Sequence, residues 1–167
     1  MNLYQSLGYL VFGSRLRRMS ETFLAEINRI YQNEGIEFDA SWFPVFYLLS
    51  KNDSLSIKEL SEQTEVSHPA ASQLITNLKN RNLVETTVCA DDGRRQLVKF
   101  TDKGRDLLTQ ILPIWDAISA SMTELAESDE AIKEILPAIS AMENTFRNYN
   151  LAGKVSDKLK PIRHEKV

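Results

Sequence analysis

Apolar side chains recur at helical spacing over two long stretches that flank a shorter, more varied middle. From Tyr4 to Gln32 the repeat is Leu7, Leu10, Val11, Met19, Phe23, Ile27, Ile30 and Tyr31, which predicts one helix of roughly 40 Å closed at Gly35. A helix that long exceeds what a small domain can cover, so a second subunit is the simplest partner for it. The segment FDASWFPVFYLLSKND follows. Asp39 or Ser41 can cap it, Pro44 suits a first turn, and Trp42, Phe43, Phe46, Leu48 and Leu49 predict a short, heavily buried helix ending at Asn52-Asp53. Ser56 with Glu59 makes a capping-box pattern before IKELSEQT. Ser67 then caps a helix through Asn82 with Pro69 in its first turn. From Val84 to Thr101 the chain turns to β-formers on either side of Asp91-Asp92-Gly93, a hairpin signal.

Thr101 caps a second long helix whose apolar positions run from Leu107 through Trp115 to Leu125, with Pro113 expected to kink it. Ser128 is expected to cap a last helix bearing Ile132, Ile135, Leu136, Ile139, Met142 and Phe146, kinked at Pro137. Beyond Gly153 the sequence is polar and basic, and a loose tail is expected. The pattern predicts a mainly α fold with a small β-wing: a winged helix-turn-helix between dimerisation helices. Its expected divisions are an N-terminal dimerisation helix (1–35), the winged helix-turn-helix (36–101), C-terminal dimerisation helices (102–150) and a flexible tail (151–167).

The helix from Ser67 onward carries the most specific pattern. Ala71, Leu74, Ile75 and Leu78 form its buried stripe. Its other side offers His68, Ser72, Gln73, Thr76, Asn77 and Lys79, with no acid. Gln and Asn can pair bidentately with adenine in the major groove, Ser and Thr adapt, and Lys reaches phosphate. The helix before it is joined by a turn of about three residues, the helix-turn-helix spacing. The hairpin tip DDGRRQ places Arg94 and Arg95 just past a tight turn, with Asp92 able to hold a neighbouring arginine. Arginine on a thin wing suits the negative minor groove.

Charge changes the picture only when read locally. The 167-residue chain has formal net charge −3, the wrong sign for a nucleic-acid binder taken globally. From Ser67 to Arg105, however, seven Lys and Arg face four Asp and Glu, a net +3. With 43% hydrophobic residues, a packed core is feasible. The single cysteine, Cys89, permits no internal disulfide and fits a reducing compartment. The N-terminal apolar run precedes its charges, the wrong order for a secretory signal, and no stretch reaches a membrane span. A cytoplasmic location is expected.

Other chemistry finds little footing. The two histidines, His68 and His164, lie far apart in sequence, so no metal site and no cofactor are expected. No basic residue adjoins Cys89 to activate it. Neither a phosphate-binding loop nor a nucleophile–base pattern occurs, so no enzyme activity is expected. Arg15, Arg17 and Arg18 make either a solvated helix face or a phosphate contact.

In LSIKELSEQTEVSHPAASQLITNLKNRNLV and DDGRRQLVKFTDKG the chain resembles the MarR family of regulators, with a likeness extending over about Leu3 to Tyr149. The family's wing pattern is met by Asp92-Gly93-Arg94, Phe100-Thr101 and Gly104, with Phe100 in place of the usual leucine. RLRRMSETF and DASWFPVFYLL are similar to a subgroup that carries a C-terminal acetyltransferase domain. This chain stops about where that domain would start, and no such activity is carried over. The resemblance implies a homodimeric repressor on a palindromic operator, with Ser67, His68, Ala70, Ser72, Gln73 and Thr76 of the recognition helix in the major groove and Arg94 in the minor groove. It also implies a cleft for a small aromatic or anionic effector, which Arg15, Tyr31, Trp42, Tyr47 and Trp115 could line; plain core and interface roles serve those residues equally well. The competing reading is a winged-helix adaptor that binds protein without reading DNA.

Overall fold

A computed structural model describes residues 3–88 and 96–164, with side chains through 160. The N-terminal stretch is not one helix. A short α1 (Leu3–Ser6) is followed by a 3-10 turn (Gly8–Val11) and then by α2 (Phe12–Asn33). Gly8 adopts φ +55, a left-handed conformation that no helix continues through, and this is why the apolar spacing overruns the helix. Gly35, at φ +70, does close α2: its N–H donates to the Gln32 carbonyl (3.1 Å), and the Ile36 N–H to Tyr31 (2.9 Å).

Asp39 caps a 3-10 turn (Ala40–Trp42) by accepting from the Ser41 N–H at 2.8 Å, and α3 (Phe43–Lys51) follows with Pro44 in its first turn. Val45, Phe46 and Leu49 are buried, whereas Phe43 is exposed and Leu48 half-buried, so α3 is less enclosed than its composition suggests. A two-residue strand β1 (Leu55–Ser56), too short for sequence periodicity to register, leads into α4 (Ile57–Gln63). The capping box there is complete, with Ser56 Oγ accepting from the Glu59 N–H (3.2 Å) and the Glu59 carboxylate from the Ser56 N–H (2.8 Å). Next come α5 (His68–Asn80), β2 (Val84–Val88) and β3 (Gln96–Phe100). β3 lies between β1 and β2, antiparallel to both, with Leu55 opposite Val98 and Val84 opposite Phe100. The fold is mainly helical with a small three-stranded wing sheet.

The core of this region is an aromatic chain. Phe38 meets Tyr31 (4.9 Å between ring centroids), Trp42 (5.5 Å) and Phe46 (5.0 Å) edge-on, and Phe46 reaches Phe100 on β3 (4.9 Å). Edge-to-face contacts at these spacings add specificity to simple burial. Around them pack Leu60, Ile75, Leu78, Val98 and Ile111.

α6 (Asp102–Glu127) begins at Thr101, whose Oγ1 accepts from the Gly104 N–H (3.0 Å), and stays helical through Pro113. The chain divides into two compact units within it: one ends at Ile114, the other begins at Trp115. In the second unit, Asp129 rather than Ser128 caps the next helix, accepting from the Ala131 N–H at 2.7 Å; the Ser128 hydroxyl instead donates back to Leu125. The expected last helix is two pieces, α7 (Glu130–Lys133) and α8 (Ile135–Phe146), rather than one helix bent at Pro137. Proline has no N–H to bond the fourth residue back, so the chain restarts before it. The segment expected to be a loose tail forms α9 (Leu151–His164), because Asn150 Oδ1 accepts from the Gly153 N–H (2.9 Å) and Leu151, Val155 and Leu159 share a face. No residue of this unit is buried among those described. No helix is long and apolar enough to cross a membrane among the described residues.

Candidate nucleic-acid interface

The turn between α4 and α5 runs from Thr64 to Ser67 and is closed by an unusual residue. Glu65 sits at φ +53, its N–H donating to the Glu62 carbonyl (3.4 Å), while Val66 donates to Ser61 (3.2 Å). This is the helix-ending motif that normally recruits glycine. At the start of α5, Ser67 Oγ accepts from the Ala70 N–H at 3.4 Å. At its far end Asn82, at φ +58, repeats the closing motif: Asn82 N–H to the Lys79 carbonyl (2.8 Å) and Leu83 N–H to Leu78 (3.0 Å). Asparagine tolerates that conformation better than most residues.

The same end is fastened to α6. Thr101 Oγ1 donates to the Asn82 carbonyl (2.7 Å), the Thr101 N–H to the Leu83 carbonyl (3.1 Å) and Lys103 Nζ to the Arg81 carbonyl (3.1 Å). An ammonium there also complements the negative end of the helix dipole. Gly104 packs so close to Leu83 that a Cβ would lie 2.0 Å from its carbonyl oxygen. The Arg81 guanidinium lies 4.9 Å over the Trp42 ring, joining α5 to the aromatic core.

Between these anchors α5 buries Ala71, Ile75 and Leu78 and half-buries Leu74. Of the residues expected to meet DNA, Ser67, His68, Ala70, Gln73, Thr76, Asn77 and Lys79 are exposed and Ser72 is half-buried. Helical geometry puts Gln73, Thr76 and Asn77 at the centre of the outward face, opposite the buried stripe. Asn80 continues that row as the residue seven on from Gln73, is exposed, and was not picked out from the sequence; the spacing alone could have found it. The Thr76 hydroxyl donates to the Ser72 carbonyl (2.9 Å), leaving its lone pairs outward. Lys79 lies on the flank, where its Nζ donates to Thr86 Oγ1 on β2 (3.0 Å), so its charge sits on the seam between helix and wing. Beside it, Glu85 and Lys99 pair across the two strands at 3.1 Å. Asp92, Arg94, Arg95 and Cys89 lie outside the described residues.

The five residues expected around an effector cleft differ in burial and in the unit they belong to. Tyr31 and Trp42 are buried in the aromatic core, Arg15 and Tyr47 are exposed, and Trp115 belongs to the second unit. A cavity of about 470 Å³ does open in the first unit, at the fastened end of α5. Asn80, Arg81, Leu83, Lys103, Asp106 and Gln110 are among its lining residues, and none of the five is. Among the described residues no group of three His, Cys, Asp or Glu side chains could hold a metal.

Residues 37–95, which include all of α3, α4, α5 and β2, match the model of the MarR family. No curated protein matches the chain. Among solved structures, MepR of S. aureus in a DNA complex superposes with a TM-score of 0.69 at 19% identity, covering 81% of this chain and 97% of that one. BpsR of Bordetella bronchiseptica, whose DNA binding is regulated by 6-hydroxynicotinic acid, superposes at 0.62 with 22% identity, covering 83% and 94%. A mutant MarR from E. coli complexed with operator DNA gives 0.53 at 22% identity, covering 66% and 76%. At these identities the likeness is one of fold.

Proposed function

With residues 37–95 forming a MarR-family segment, we propose that this protein is a homodimeric transcriptional regulator that binds palindromic double-stranded DNA. The observation that carries the reading is the outward row Gln73, Thr76, Asn77 and Asn80, an acid-free amide and hydroxyl surface on a helix capped by Ser67 and tied at its far end to Thr101. Amides reach adenine edges bidentately in the major groove, while Lys79 and the arginines of the wing supply phosphate and minor-groove contacts, with Arg94 the residue assigned to the minor groove. Two copies then address half-sites about 10–10.5 base pairs apart. This is a binding protein rather than an enzyme, and its place of work is the cytoplasm. Repression modulated by a small effector is part of the same reading; the DNA binding of BpsR, similar in fold, is regulated by 6-hydroxynicotinic acid. The cavity at the end of α5 supports that part, since its volume falls in the usual range for small ligands.

The test is fluorescence anisotropy on duplexes from the gene's own upstream region, read across salt concentrations. DNA binding should weaken steeply with salt, with log–log slope near −0.9 per phosphate contacted. Arg94→Ala should weaken all duplexes, and Gln73→Ala should change base preference by about 1–3 kcal/mol at one position. A salt-insensitive interaction, or variants that bind every duplex like the parent, would return the protein to the adaptor reading.

A further inference from the structure

The contact between Lys79 and Thr86 joins two elements that differ in stiffness. Lys79 stands exposed on the last turn of α5, at the end of a long, rotatable stem. Thr86 is built into the sheet. It pairs with Val98 and shares a face with Val84, whose partner is Phe100. Those three apolar residues are buried and Thr86 is half-buried, so its hydroxyl forms the polar rim of a packed face. A β-branched side chain in that setting has little rotational freedom. The hydroxyl therefore holds the ammonium, at 3.0 Å, rather than the reverse. On the opposite face of the same strands Lys99 is paired with Glu85 (3.1 Å). Lys79 makes no ion pair among the described residues. Its acceptor is neutral, so its charge is not cancelled, and two of its three N–H donors remain.

We propose that Thr86 is a positioning residue for DNA binding, whose hydroxyl aims the Lys79 ammonium at the phosphate backbone. The inference rests on the DNA-binding reading above, which gives Thr86 no role. In that reading α5 occupies the major groove and the wing the adjacent minor groove. The line of phosphates that separates two grooves then crosses where helix and wing meet, and the ammonium on that seam is the one it encounters. An unanchored lysine loses many rotamers when it binds; one already held loses fewer. A carboxylate at position 86 would orient the ammonium and also neutralise it, whereas a hydroxyl orients it alone.

A double-mutant cycle read by fluorescence anisotropy tests this, on an upstream duplex and on one of unrelated sequence. Thr86→Val keeps the side chain's shape and strand preference, so thermal unfolding should stay near the parent's. It should weaken binding to both duplexes alike, by about threefold, and Thr86→Ser should restore it. Lys79→Met should weaken binding about tenfold and lower the salt slope by about 0.9. With Lys79 already replaced, Thr86→Val should change nothing further. The proposal falls if Thr86→Val is silent in the parent, or if it costs as much without Lys79 as with it, since the hydroxyl would then act on DNA or on the fold directly. A parent chain that binds no duplex would overturn the DNA-binding reading and this proposal with it, whereas a parent that binds without coupling between the two sites removes only the role of Thr86.

Discussion

The two units of this chain solve the problem of apolar surface in opposite ways. Up to Ile114 the chain folds around its own aromatic core, Tyr31, Phe38, Trp42, Phe46 and Phe100 in continuous contact. From Trp115 onward the apolar stripes are just as regular, yet no described residue is buried. Pattern alone therefore tells which side of a helix is apolar, and only the fold tells whether the chain covers that side itself. The first unit has a packed interior of its own, although α2 leaves Leu16, Met19, Phe23 and Leu24 exposed; no described residue of the second is buried.

Truncating each unit's apolar side chains should separate them most sharply. Phe46→Ala removes a fully buried ring and should cost about 3–5 kcal/mol in urea unfolding. Leu136→Ala should leave the unfolding of a diluted, monomeric chain within about 0.5 kcal/mol of the parent, while weakening self-association. An equal loss at both sites would erase the distinction. Next in size is Gly104→Ala, where the new methyl would collide with the Leu83 carbonyl; a loss of about 1–3 kcal/mol is expected, with DNA affinity falling alongside thermal stability. Ser56→Ala deletes half of the capping box and should cost about 1 kcal/mol, measured by the urea midpoint. Smallest is Glu65→Gly. Relieving a left-handed non-glycine residue should stabilise the chain by up to about 1 kcal/mol, and a loss instead would mean that the Glu65 side chain matters more than its backbone.

These residues also mark where the sequence was legible. Side-chain caps announce themselves by type and spacing, so Ser56 with Glu59, Ser67 and Thr101 were readable. Helix ends that need a left-handed residue were readable at Gly35 but not at Glu65 or Asn82, where the chain adopts the glycine conformation without glycine. Gly8 carried the opposite lesson, a break hidden under an unbroken apolar spacing. β1 was invisible because two residues have no period, and α9 because polar composition masked an Asn150 cap and a four-residue apolar step. In the site, the outward row of α5 followed from helical spacing almost whole. What spacing could not give was depth: Tyr31 and Trp42 look like a ligand's aromatic walls, but the ring contacts of Phe38 place them inside the core.

The fastening of α5 to α6 has a consequence for motion. With Arg81, Asn82 and Leu83 all bonded to the first turn of α6, and Gly104 pressed against the junction, the C-terminal end of α5 is tied to α6. It steers like a rudder fixed to its post. Anything that tilts the start of α6, even by the width of one side chain in the neighbouring cavity, should carry Gln73 and Asn77 with it as one surface.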